Sequence, residues 1–180
     1  MNVHKGREEH IVRSILLLVT LAFLVSGASA VVLSIDNGQV NAIGSSAAVN
    51  ITLDSAPNGL AGYSINITLG TSSVATISDT SFPGWATNTE VIPDPPSSSC
   101  RVKALDGEEK IQDGSTEVTL ATLTLQGLSE GVTPVTLTVN LMSDDDDNDI
   151  FPTVISGSFT VNTSGALKAD FYANSTSGNA

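Results

Sequence analysis

Residues 63–69 read Tyr63-Ser64-Ile65-Asn66-Ile67-Thr68-Leu69, four large apolar side chains separated by three small polar ones. A helix would scatter Tyr63, Ile65, Ile67 and Leu69 around its circumference, whereas an extended chain puts all four on one side. The stretch is therefore a half-buried strand, with Ser64, Asn66 and Thr68 toward water. The same period returns at Val49, Ile51 and Leu53, and again at Val135, Leu137, Val139 and Leu141, each time interleaved with Thr or Asn. Further extended segments are expected at 31–35, 74–77, 100–105, 117–125 and 156–161. Within 117–125 the apolar side changes: Val118 and Leu120 share one face, then Ala121, Leu123 and Leu125 share the other. A bulge at Leu120-Ala121 reconciles the two halves.

Turn chemistry separates these runs at Asp36-Asn37-Gly38, Pro57-Asn58-Gly59, Asp106-Gly107, Asp113-Gly114 and Glu130-Gly131. No helical period is visible after residue 30. Eight or nine short strands with regular turns predict an all-β fold, a two-sheet sandwich with jelly-roll topology over 31–162. Residues 163–180 are Ser-, Asn- and Gly-rich and are expected to be a polar tail or linker.

Ahead of the strands, residues 1–14 are mostly polar and residues 15–25 (ILLLVTLAFLV) are apolar but for Thr20. Ala28-Ser29-Ala30 then supplies a small-residue cleavage site, the pattern of an export signal over 1–30. The apolar run is shorter than the roughly 20 residues that a membrane-spanning helix needs. A secreted or surface protein without membrane insertion after signal cleavage is expected. Three of the seven basic and two of the nineteen acidic residues leave with that segment, so 17 acids and 4 bases remain, a charge of −13. Such a surface disfavours nucleic acid. Both histidines, His4 and His10, leave too, which removes Ser-His and Cys-His catalysis and any imidazole ligand. The one cysteine, Cys100, cannot close an internal disulfide and reads as a strand residue or free thiol.

Once outside a cell, the sequons at Asn50, Asn66, Asn162 and Asn174 are glycosylation candidates. No two of Glu90, Glu108, Glu109, Glu117 and Glu130 are placed by spacing as the acid pair of a glycosidase, and a non-catalytic module is expected. The run Asp144-Asp145-Asp146-Asp147-Asn148-Asp149 offers oxygen at alternate positions, and Asp145, Asp147 and Asp149 copy the first three ligands of an EF-hand loop. Ile150 replaces its turn glycine and Ser156 its bidentate Glu, so the alternatives are a looser structural Ca²⁺ site or a solvated acidic loop. No other cofactor is indicated. Phe82-Pro83-Gly84-Trp85 is the one aromatic cluster able to form a sugar platform, and Trp85 could equally plug the end of the sandwich.

Laid end to end, these segments resemble a cohesin domain, the jelly-roll docking module of the cellulosome. The resemblance runs from Val31 to Val161. It covers the opening VVLSIDNGQV, then AAVNITLDSAP, then the glycine-led strand from Gly59 to Ile67. It continues through the Val102–Gly107 strand and turn, the strand ending at Leu125, Gly131-Val132-Thr133-Pro134-Val135, the acidic loop, and Ser156-Gly157-Ser158-Phe159-Thr160-Val161. After the third strand the chain carries Leu69-Gly70-Thr71-Ser72-Ser73, where cohesins usually have a Tyr-Asp-Pro-like turn. The resemblance implies a non-catalytic surface module that docks a dockerin-like protein on one outer sheet face, with Asn66, Arg101, Lys103 and Thr136 as partner-binding candidates. The alternatives are a polysaccharide-binding module using Phe82 and Trp85, and a structural spacer of a surface layer. Residues 167–180 resemble the opening of a PKD domain, an Ig-like sandwich common in archaeal surface proteins.

Overall fold

The computed structural model describes residues 30–163. The expected leader up to Ser29, most of the polar tail, Asn174 and the PKD-like segment lie outside the described residues. Among the described residues eleven strands form in chain order. They are β1 (Val32–Ile35), β2 (Gly38–Val40), β3 (Ser46–Ala56), β4 (Gly62–Leu69), β5 (Ala75–Ser81) and β6 (Thr87–Ile92). The rest are β7 (Ser99–Leu105), β8 (Ser115–Gly127), β9 (Gly131–Ser143), β10 (Thr153–Ile155) and β11 (Gly157–Val161). One sheet has the order β10-β1-β3-β8-β5 and the other β2-β11-β9-β4-β7-β6. Successive strands alternate between the two sheets, except that β6 and β7 are neighbours in one. That alternation is the jelly-roll character expected from the sequence.

The alternating side chains fill the space between the sheets. Leu33, Ile51, Leu53, Leu120, Leu123 and Leu125 come from one side and Tyr63, Ile65, Ile67, Val102, Val135 and Phe159 from the other, all buried. Burying an apolar side chain of this size contributes about 1.5–3 kcal/mol. The bulge stands where the parity change placed it. Ile51 pairs with Ala121 but Thr52 with Thr119, leaving Leu120 as the extra residue.

The strand number corrects the expected eight or nine. The additional strands β2, β6 and β10 are short and lie at sheet edges. Only Val40 of β2 is buried, and all three residues of β10 are exposed. β6 (TNTEVI) pairs with β7 alone and has no fully buried residue. Edge strands of this kind are held by ladder hydrogen bonds and not by a buried face, so they carry no apolar period. β2 and β10 also pair in parallel, with β11 and β1 respectively, which a local turn cannot announce.

Candidate docking face

The outer surface of the six-stranded sheet is built from the polar halves of the strands that supply the core. In β4, Ser64, Asn66 and Thr68 point away from the buried Ile65, Ile67 and Leu69. In β7, Arg101 and Lys103 point away from Cys100, Val102 and Ala104. In β9, Pro134, Thr136 and Thr138 do the same against Thr133, Val135 and Leu137. Because β7, β4 and β9 are consecutive neighbours, these side chains form one surface.

Register places them in rows across the strands. Arg101, Asn66 and Thr138 are opposite one another, as are Ser99, Thr68 and Thr136. Lys103 stands opposite Ser64, which stands opposite Leu141. The four partner-binding candidates, Asn66, Arg101, Lys103 and Thr136, are thereby brought together, although 70 positions separate the first and last. A second register shift, between Ser64 and Ile65, makes Asn140 an extra residue on β9. Its side-chain oxygen accepts a hydrogen bond from Asn66 Nδ2 at 3.3 Å.

Charge on this face is local. Arg101 pairs with Glu90 of β6 at 3.0 Å, both half-exposed. Lys103 is opposite Glu90 in register and, among the described residues, makes no ion pair. Lys110 lies elsewhere, in the 106–114 loop, bonded to Glu108 at 2.7 Å. An exposed pair contributes little to stability, about 0–1 kcal/mol, so these groups are available to a partner at small cost. Hydroxyls and amides dominate the remainder, with Ile92 and Leu141 as exposed apolar contributors. A depression of about 250 Å³ runs between Asn66, Thr68, Ile92, Ser99 and Arg101. Glu90, Ile92, Thr138, Asn140 and Leu141 were not among the expected site residues. The parity of β9 would have revealed Thr138; no local signal marks the edge strand or the second bulge. That bulge corrects the expectation for Leu141, which the alternation with Val139 placed inward and which is exposed, with Met142 buried in its stead.

Other sequence candidates take different places. The Trp85 indole packs edge-on against Tyr63, with ring centroids 6.3 Å apart, and its Nε1 donates to the Thr119 carbonyl at 3.0 Å. Phe82 is half-buried and packs against the core. The Cys100 thiol is buried and its pKa is pushed up to about 11 by that burial, the Thr80 hydroxyl offsetting part of the rise. Asn50 and Asn66 are exposed, and Asn162 is half-buried.

The acidic loop is organised by Asp144, which the alternating pattern passed over. Its Oδ1 accepts N–H from Asp146 at 3.0 Å and Asn148 at 2.8 Å, and its Oδ2 accepts Asn58 Nδ2 at 3.1 Å. These bonds, the one from Asn148 N–H foremost, hold its carboxyl below the usual range. Winding the loop around Asp144 leaves Asp145, Asp147 and Asp149 exposed. Among the described residues no three His, Cys, Asp or Glu side chains converge as a metal-holding group, so the EF-hand-like trio is not assembled.

No family profile and no curated protein matches the chain. Solved structures do. A cohesin of Clostridium acetobutylicum aligns with a TM-score of 0.62 and 19% identity, over 76% of this chain and 93% of that one. The cohesin of a type I cohesin–dockerin complex from Clostridium thermocellum aligns with a TM-score of 0.62 and 16% identity, over 74% and 99%. A non-cellulosomal cohesin from the hyperthermophilic archaeon Archaeoglobus fulgidus aligns with 0.58 and 15%, over 74% and 91%. The chain has the cohesin fold.

Proposed function

We propose that this chain is a non-catalytic, cohesin-like docking module, exported to the cell surface, whose partner is a dockerin-like protein seated on the outer face of β6, β7, β4 and β9. The carrying observation is the continuous surface that joins Lys103, the Arg101–Glu90 pair, Asn66 and the threonines of β4 and β9. It offers many hydrogen-bonding groups, few charges and two apolar anchors, the mixture that a specific, reversible protein contact uses. Solved relatives of this fold include cohesins in complex with dockerins. Export rests on the leader pattern, and the sequons agree with it.

The test is titration calorimetry of the purified chain against a panel of dockerins, with a pull-down from the source organism's secreted proteins to supply the cognate one. Arg101→Glu with Lys103→Glu should weaken binding more than ~10-fold, the scale of a central interface residue. Asn50→Lys, on the outer face of the other sheet, should leave it unchanged. Equal affinity for both variants would refute the assignment of this face. A glycan found at Asn66 by mass spectrometry would cover the face and favour a structural spacer. Retardation in soluble polysaccharide gels would instead favour sugar binding; none is expected, since the indole is committed to Tyr63 and Thr119.

A further inference from the structure

Three loops meet beside the start of β4: the Pro57-Asn58-Gly59 turn, residues 106–114 after β7, and the acidic loop after β9. Backbone bonds clamp them together. Gly114 N–H donates to the Ala56 carbonyl at 2.9 Å, Asp145 N–H to the Asn58 carbonyl at 3.1 Å, and Asp106 N–H to the Ala61 carbonyl at 2.9 Å. The junction is thus positioned by the ends of three strands.

Asp106 is only 5% exposed. Its Oδ2 accepts the Ile111 N–H at 2.6 Å, while Oδ1 is buried with no donor against it. A carboxylate oxygen removed from water and left without a partner is costly, so a positive group is the missing element. The opposite side of Ile111 supplies more oxygen. Gly59 has φ of 71°, and the position where its Cβ would stand lies 1.9 Å from Asp145 Oδ2 and 2.9 Å from the Ile111 carbonyl. Asp145 therefore lies down in the space that a side chain would fill, next to that carbonyl. The one cation of the 106–114 loop, Lys110, is turned to Glu108.

We propose that this junction is a calcium site, with Asp106 Oδ1, Asp145 and the Ile111 carbonyl as its protein ligands and water completing the shell. It shares Asp145 with the trio expected from sequence but takes its other ligands from a different loop. Carboxylate, carbonyl and water oxygens in an irregular set suit Ca²⁺, whereas Mg²⁺ demands a near-ideal octahedron. Two carboxylates place the affinity in the range of extracellular modules, with Kd about 10⁻⁴–10⁻³ M. Bound there, the ion would tie three loops together and relieve the buried oxygen of Asp106. The site uses none of the docking-face side chains and does not depend on that reading.

Calorimetry and thermal melting of the full purified chain decide the matter, with CaCl2 up to ~10 mM, well above that range, against EDTA and against MgCl2 at equal ionic strength. Saturable binding of one Ca²⁺ and a higher Tm are expected. Asp145→Asn should weaken binding by at least the ~10–100-fold that loss of even an outer-shell partner costs. It should leave the melting temperature in EDTA no lower than the parent's, while Asp147→Asn and Asp149→Asn should bind as the parent does. Asp106→Asn should behave like Asp145→Asn, and if it does not fold, Asp145→Asn alone decides. Absence of binding, an equal response to Mg²⁺, a calcium response that survives Asp145→Asn, or one lost equally in Asp147→Asn would each overturn the proposal.

Discussion

Replacing Tyr63 with Phe removes a single oxygen from the centre of the sandwich. The Tyr63 hydroxyl crosses from β4 to donate to the Leu120 carbonyl at 2.6 Å, entirely buried. Leu120 is the bulged residue of β8, without a cross-strand partner on either side. The ring itself would remain, and with it the edge contact to Trp85. The variant thus loses one net hydrogen bond, about 0.5–1.5 kcal/mol, and leaves a buried carbonyl unsatisfied, which costs about 1–3 kcal/mol in place of that gain. A loss of roughly 1–3 kcal/mol corresponds to a fall in Tm on the order of 3–10 °C for a domain of this size. Urea titration should show a lower midpoint at unchanged slope. The pH dependence provides a second readout. Burial raises the Tyr63 pKa above its unfolded value of about 10. Its contribution is therefore complete below pH ~10 and declines as the pH climbs beyond, a decline that Tyr63→Phe should lack. An unchanged urea midpoint, or an alkaline fall as steep as the parent's, would refute the claim that this hydroxyl secures the bulge.

Other expectations follow from the loops and the thiol. Gly59→Ala should cost more than about 1 kcal/mol, since φ is positive and Asp145 occupies the added methyl's position, measurable as a lower urea midpoint. Asp144→Asn should lower the melting temperature at neutral pH, because the amide cannot satisfy the same N–H groups. The Asp144 pKa is depressed, so its stabilisation is present above about pH 4 and lost as the pH falls through its lower folded value. The gap between parent and variant should accordingly close in acid. Cys100, buried and with its pKa at about 11, should react with a thiol reagent at pH ~8 only after denaturant is added. Rapid labelling of the folded chain would contradict its placement.

The site was legible to different depths. Asn66, Arg101, Lys103 and Thr136 were each assigned outward by the parity of their own strands, and the cohesin resemblance nominated their three strands as one surface. Glu90 escaped because β6 packs no side chain fully into the core, so its sequence carries no period. Asp144 escaped because hydrogen-bonding capacity toward the backbone is invisible in a run of identical residues. The position of Asp144 next to Asn58 is set by the meeting of two loops 86 residues apart.

The alternation of apolar and polar residues by itself determined that the chain folds as short extended segments, where β8 must bulge, and which side chains face inward, apart from Leu141, which the unannounced bulge of β9 turns outward. These are properties of one strand and a dry interior, complete within a window of eight residues. Which strands become neighbours was decided only by the tertiary structure. Pairing Asn66 with Arg101 and Thr138, or bringing Asp106 beside Asp145, depends on closing long loops. The return for that entropy comes from the whole sheet and the whole core, and no local pattern records it.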